Sequence, residues 1–369
     1  MHILVTGLTA NRGGVESFIM NYYRRLRLLD PTLQFTFLTT AQHPAFEDEI
    51  IALGGRIIHI PRSRERAKRK AEIKELLSNT DYDILWSHKC ELSDPGIIKL
   101  AKSHGVPKIV LHSHNSANMF EGLSRLAVQV LHPYYRRTIS RYVTDYWACS
   151  DYAAKWMFPS EVLDQNKYVF IPNAIDAAKF RFNADVRKSC RESLHIGDTL
   201  VVGAVGRLSY QKNPEMTLHI FNCLYAKNKD TVLLMIGTGE LEAKVKQLAA
   251  SLPCKDHIHF LGMRSDIPEL MQAMDCLLLP SVFEGLPVVA IEAQAAGLPV
   301  VAASDGISRM TKILDTFKFL SLSDSYEKWA ACILESANPN ERDTFSTILQ
   351  NGFDIESASR KLLKLLKQQ

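Results

Sequence analysis

The chain has no C-x-x-C pair, no internal repeat, no low-complexity segment, and no uncharged apolar run near the roughly 18 to 20 residues that span a bilayer. It also lacks the dinucleotide fingerprint G-x-G-x-x-G, and its formal charge is only +4 over 369 residues. Each absence excludes something. The seven cysteines (Cys90, Cys149, Cys190, Cys223, Cys254, Cys276 and Cys332) are scattered and odd in number. That argues against a disulfide framework or zinc site and for a reducing compartment. No charged and then apolar leader precedes the strand-like Ile3-Leu4-Val5, so the body of the protein is expected to be cytoplasmic. The small charge gives no case for nucleic-acid binding. Without the fingerprint, a nicotinamide dehydrogenase is disfavoured.

What is present is an alternation. Short apolar runs at Ile3–Val5, Phe35–Leu38, Ile57–Ile60, Ile84–Trp86, Ile109–Leu111 and Tyr168–Ile171 are separated in part by amphipathic stretches such as Val15–Leu28 and Gly96–Ser103. A second series runs through Leu200–Val205, Thr231–Ile236, Ile258–Leu261, Cys276–Leu279 and Val300–Ala302. Helical spacing at Glu215–Lys227, Leu241–Ala250, Ile267–Met274 and Val288–Ala296 separates these strands. This pattern predicts an α/β chain of two Rossmann-like, doubly wound parallel sheets. The join falls in the polar stretch 176–198, and the domains are read as 1–180, 181–350 and a closing helix within 351–369 that packs back toward the first domain. Such sheets bind ligands beyond the carboxyl ends of their strands, so a site is expected in a cleft between the two.

The most informative run is Ser281-Val282-Phe283-Glu284-Gly285-Leu286-Pro287-Val288-Val289-Ala290-Ile291-Glu292. It follows a strand closed by Pro280, with Pro287 in the first turn of a helix and Gly297 at its C′ position. The backbone N–H groups of Gly285, Leu286 and Val288 then suit a diphosphate, aided by the helix dipole. On one continuous helix the two glutamates would stand ~80° apart, so Glu284 is placed on the loop and Glu292 one to two turns into the helix. One acid then reaches a sugar and the other ribose hydroxyls. A second loop, Val205-Gly206-Arg207-Leu208-Ser209-Tyr210-Gln211-Lys212-Asn213-Pro214, leaves a strand through glycine and presents two cations. Arg207 offers a fork for phosphate oxygens and Lys212 a point charge, which would neutralise a departing diphosphate without a metal.

These two runs, with Gly237-Thr238-Gly239-Glu240-Leu241, Gly262-Met263-Arg264-Ser265-Asp266-Ile267 and Asn173-Ala174-Ile175-Asp176, resemble glycosyltransferase family 4. The look is that of the exopolysaccharide and capsular-polysaccharide branch, and the resemblance covers nearly the whole chain. It implies a GT-B fold, retention of anomeric configuration and no bound divalent metal or other cofactor. It further implies that Glu284 touches the donor sugar, Glu292 binds the ribose, and Arg207 with Lys212 grips the diphosphate. Gly206, Gly237 and Arg264 join the donor site on the same ground.

In the first half, Gly13 and Gly14 join the first strand to the first helix. They serve either a tight turn or, by resemblance, close approach to the donor phosphates. Leu111-His112-Ser113-His114-Asn115 ends a strand. The spacing of two is read as sending the imidazoles to opposite sides, so that one of them faces the sugar. The resemblance puts His112 first and His114 second, and His88 is a further unassigned candidate. Asp81-Tyr82-Asp83 looks like a metal-binding Asp-x-Asp, but it lies at the amino end of its strand, the wrong end for a ligand. The basic run Arg62–Lys70, with His132–Arg137, Arg141 and Tyr142, suits anionic lipid headgroups and hence a polyprenyl-diphosphate-linked acceptor at a membrane face. The expected function is transfer of a hexose from a nucleotide sugar, with UDP favoured, to a lipid-linked saccharide. The rivals are a sugar-nucleotide 2-epimerase and a catalytically silent subunit.

Overall fold

The computed structural model describes residues 1–62, 64–118, 122–337 and 342–368. The chain forms two units, Met1–Ala174 with Ile355–Gln369, and Ile175–Asp354. The first holds β1 (His2–Thr6), β2 (Gln34–Thr39), β3 (Arg56–His59), β4 (Ile84–Lys89), β5 (Lys108–Ser113), β6 (Asp145–Ala148) and β7 (Tyr168–Phe170). They pair in the order β3-β2-β1-β4-β5-β6-β7, all parallel. The second holds β8 (Leu200–Val205), β9 (Thr231–Ile236), β10 (Ile258–Gly262), β11 (Cys276–Leu279), β12 (Val300–Ala303) and β13 (Phe317–Leu320). Their order is β10-β9-β8-β11-β12-β13, again all parallel.

Strands such as Thr-Val-Leu-Leu-Met-Ile and Cys-Leu-Leu-Leu are buried along their whole length, as a parallel sheet covered by helices requires. Two strands escaped the reading of apolar runs. β6 opens on Asp145, and β13 alternates Phe-Lys-Phe-Leu at a sheet edge with Lys318 exposed. In each sheet the order reverses once, between β1 and β4 and between β8 and β11. Those two points have open loop ends at the carboxyl side, where a ligand finds room.

The chain crosses between units at 174/175 and 354/355, whereas the sequence reading placed the joins at 180/181 and 350/351. Ile175 bridges Asp354, and its N–H donates to Phe353 O at 2.9 Å, which ties the two crossings together. The short helix Ala177–Phe180 belongs to the second unit, where Phe180 O accepts from Gln272 Nε2 at 3.1 Å. The closing helix Ile355–Lys367 gives Ile355, Ala358, Leu362 and Leu366 to the first unit's core, together with Phe18, Tyr22, Trp86 and Trp147. Its end is held by Lys108 Nζ, which donates to Leu365 O at 2.6 Å, and by Lys367 on Asp30 at 2.6 Å.

Candidate active site

The loops after β8 and β11 meet at the second unit's reversal point. Lys212, in the turn Tyr210–Lys212, sets Nζ 2.6 Å from Glu284 Oε1, with side chains 20% and 8% exposed. Gln211 Nε2 donates to the other Glu284 oxygen at 3.2 Å and to Phe283 O at 3.1 Å. Backbone bonds Val282 N to Gln211 O and Glu284 N to Gly306 O, both 2.8 Å, fasten the acidic loop on two sides. A carboxylate and an ammonium are thus held, low in solvent, where Rossmann-type sheets take ligands. Gln211 was not singled out in the sequence, because a neutral amide carries no charge signal.

The glycines here answer to backbone crowding. Gly206 adopts φ 148°, and Gly237 adopts φ 126° with its missing Cβ only 2.1 Å from Gly206 O. Leu208 N donates to Thr238 O and Leu241 N to Leu208 O, both at 3.0 Å, so the 206–208 and 237–241 segments lie backbone to backbone. Gly237 therefore has a packing reason for being glycine. Arg207 is 65% exposed and pairs with Glu240 at 3.0 Å, so its guanidinium does not lie on the Lys212–Glu284 pair. Arg264 is held by Asp266 on its own loop at 2.5 Å.

The helix Val288–Ala295 begins at the residue the apolar spacing gave, but Pro287 stands at its N-cap with φ −68° rather than in the first turn. Gly285, Leu286, Pro287 and Val288 form the approach, with Leu286 buried. Gly297 follows the helix with φ 62° as the sequence placed it. Glu292 lies in the second turn and is half-buried. Burial pushes its carboxyl up to about 7, against the opposing pull of the Lys212 charge.

In the first unit, Gly13 is the N-cap of the helix Gly14–Leu29, and nothing lies near the missing Cβ of Gly14. The buried Glu16 carboxylate accepts from Thr9 Oγ1 at 2.5 Å, Thr9 N at 3.2 Å and Gly13 N at 3.2 Å. It thus shapes the loop on which Gly13 sits. Gly7, with φ 121°, ends β1 so close to β4 that a Cβ would stand 2.7 Å from His88 Cβ.

His112 and His114 do not diverge. Residues two apart in an extended chain share a face, and their rings stack at 4.3 Å, with His88 at 5.2 and 5.0 Å. All three are buried, with His112 0% and His114 9% exposed. His88 Nδ1 and His114 Nε2 are 2.7 Å apart, and Trp86 Nε1 donates to His112 Nδ1 at 3.2 Å, which leaves the His112 proton on Nε2. Burial holds all three imidazoles below their usual range, His114 at about 3, so they are neutral. Their nitrogens lie within 4.8 Å of one another, and among the described residues they are the group that could hold a metal ion. Inclined to one another by only 28–35°, the rings stack more than they converge on one point. Asp83 of the Asp-x-Asp look-alike accepts from His2 N at 2.7 Å, which anchors β1.

Of the basic run, Arg62, Arg64, Arg66, Lys68 and Lys70 are exposed, while Arg69 pairs with Asp94 at 2.9 Å. Ser63 lies outside the described residues. Among the described residues no helix is long and apolar enough to cross a membrane.

Against known proteins, the family described as Glycosyltransferase Family 4 matches residues 12–179, and Glycosyl transferases group 1 matches residues 186–336. The putative glycosyltransferase EpsF of Bacillus subtilis (strain 168) is 30% identical over 387 aligned positions, covering 99% of this chain and 95% of that protein. The UDP-Gal:alpha-D-GlcNAc-diphosphoundecaprenol alpha-1,3-galactosyltransferase of Escherichia coli is 28% identical over 64% of this chain and 62% of its own. HepE from Anabaena, solved with UDP and glucose, superposes with a TM-score of 0.77 at 16% identity, covering 99% of both chains. Two all-parallel Rossmann-like sheets and a relative aligned along nearly the whole chain lead to one assignment: the protein belongs to family 4 of the glycosyltransferases and has the GT-B fold.

Proposed function

We propose that the protein is a retaining, metal-independent hexosyltransferase that takes its sugar from a UDP-sugar and passes it to a hydroxyl of a polyprenyl-diphosphate-linked saccharide. The observation that carries this reading is the Lys212–Glu284 pair at the reversal point of the second sheet, with Glu292 in the second turn of the helix that follows Glu284 and close enough to feel the Lys212 charge. Lys212, Arg207 and the start of the helix Val288–Ala295 would take the diphosphate, since two cations and a helix N-terminus supply the charge that a metal supplies elsewhere. Glu284 would accept from the sugar hydroxyls and Glu292 from the ribose, with Gly206, Gly237, Gly285, Leu286 and Pro287 shaping the backbone and Arg264 beside it.

No carboxylate is assigned as a covalent nucleophile. The acceptor oxygen therefore attacks the anomeric carbon on the face the diphosphate leaves. The carbon–oxygen bond to the diphosphate breaks, and the acceptor's proton passes to a diphosphate oxygen. In the first unit Gly13 and Gly14 are assigned to phosphate approach. His112 offers a ring N–H not used by Trp86, and His114 offers the greater exposure, so each is a candidate for the sugar. The polyprenyl acceptor and the exposed cations of Arg62–Lys70 support a place at the inner face of an anionic membrane, in exopolysaccharide or capsule assembly.

The test is release of free nucleotide from a panel of UDP-, GDP- and ADP-sugars in the presence of EDTA. One nucleotide released without metal is the expected result, with Arg207→Ala slower by roughly a hundredfold at unchanged Tm and Glu284→Gln slower by a similar factor with some loss of Tm, since it breaks the Lys212 pair. Full activity in both variants overturns the site. An isomerised sugar nucleotide with no release points to the epimerase, and binding without turnover to the silent subunit.

A further inference from the structure

Among the described side chains of the helix Gly122–Thr138, three large apolar ones stand in solvent: Leu126 58%, Val130 70% and Tyr134 61% exposed. Residues four apart advance only ~40° around a helix, so the three form one stripe about 12 Å long. Ala127 and Pro133 are exposed beside it. The opposite side of the helix is committed inward. Val128 is 3% exposed and His132 4%, and the His132 ring lies 4.1 Å from Trp156 while Nδ1 accepts from Leu92 N at 3.0 Å. The helix is therefore fixed by one side and presents the other.

Charge decides what that side fits. From Gly122 to Thr144 the chain has four arginines and no aspartate or glutamate. Arg125, Arg137 and Arg141 are exposed, and Arg137, three residues after Tyr134, falls back into line with the stripe. The neighbouring helix Gly96–Ser103 adds Lys99, whose Nζ lies 4.5 Å over the Tyr135 ring. We propose that this helix is a membrane-docking surface for an anionic bilayer. Leu126, Val130 and Tyr134 enter the headgroup–acyl boundary, and Arg125, Arg137 and Arg141 meet lipid phosphates. Apolar residues flanked by arginines along the chain suit that boundary, and a tyrosine has the wet and dry ends such a boundary asks for. The inference goes beyond the electrostatic attraction assigned to Arg62–Lys70. It rests on the membrane placement proposed above, takes up the helix whose His132–Arg137 the sequence already paired with lipid headgroups, and adds to it an apolar contribution that salt does not screen.

The experiment is vesicle sedimentation of the full chain with phosphatidylcholine alone or mixed with phosphatidylglycerol, at low salt and at roughly 0.5 M salt. Two variants are compared: Leu126→Ser/Val130→Ser/Tyr134→Ser, and Arg62→Gln/Arg64→Gln/Arg66→Gln/Lys68→Gln/Lys70→Gln. The wild type is expected to bind the anionic vesicles and keep part of that binding in high salt. The serine variant loses the salt-resistant part, with a partition coefficient lower by about tenfold or more and an unchanged Tm and donor hydrolysis. The glutamine variant loses the salt-sensitive part. A serine variant that binds like the wild type overturns the inference and leaves the electrostatic reading standing. Absence of wild-type binding to either vesicle overturns both. A lipid-free dimer, dispersed by the serine substitutions and blind to vesicles, assigns the stripe to a second copy of the chain and overturns the docking role.

Discussion

At the scale of single residues, the Lys212–Glu284 pair joins stability to chemistry. Glu284 is 8% exposed, so removing its ammonium partner leaves a carboxylate with little water. Lys212→Met is therefore expected to cost about 2 kcal/mol, read by urea denaturation, as well as donor hydrolysis. An unchanged denaturation midpoint would mean that the pair contributes nothing to the fold. Glu292 gives a pH signature. Its carboxyl is raised from 4.5 to about 7, so the folded chain binds a proton that the unfolded chain has already released. Stability from this group is present below about 4.5 and is lost as pH rises toward 7. Glu292→Gln should gain in Tm relative to the wild type across that window and hold the gain above it. Parallel Tm curves for the two proteins would contradict the assignment.

At the scale of elements, glycine and loop geometry decide how a loss of activity is to be read. Gly237→Ala would set a methyl group 2.1 Å from Gly206 O at φ 126°. It should lower Tm by several degrees along with activity. An alanine variant that keeps its Tm but loses nucleotide binding would show instead that this glycine faces the ligand. Strand-to-helix alternation was legible because parallel strands, buried on both faces, are written as continuous apolar runs. Edge strands such as β13 carry lysine and are not written that way. The loop motif around Glu284 was legible from its place after a strand and before a helix. The Gln211 clamp and the Arg207–Glu240 pair were not, since both join side chains whose meeting depends on how neighbouring loops pack.

At the scale of the whole molecule, the two units differ in how the chain builds them. The second is one continuous stretch, Ile175–Asp354, whereas the first needs Ile355–Gln369 to finish its core. The segment 175–354 expressed by itself should melt cooperatively. The segment 1–174 without the closing helix should not, because Leu362 and Leu366, 0% and 2% exposed in the whole chain, would leave an apolar face open. Calorimetry of the two fragments checks this, and a sharp transition for 1–174 would show the helix to be dispensable.

The sequence by itself determined the class of fold, every strand of the two series except β6 and β13, and the motif-bearing loops, because periodicity and turn chemistry are local properties of the chain. Only tertiary structure decided where the units divide, since that rests on Ile175 meeting Asp354 across 179 positions. It also decided the stacking of His112 and His114 against His88, which requires β4 and β5 to lie in register. The apolar stripe on Gly122–Thr138 is of the same kind. Its spacing is written in the sequence, but which side faces inward was settled by His132, held between Leu92 and Trp156.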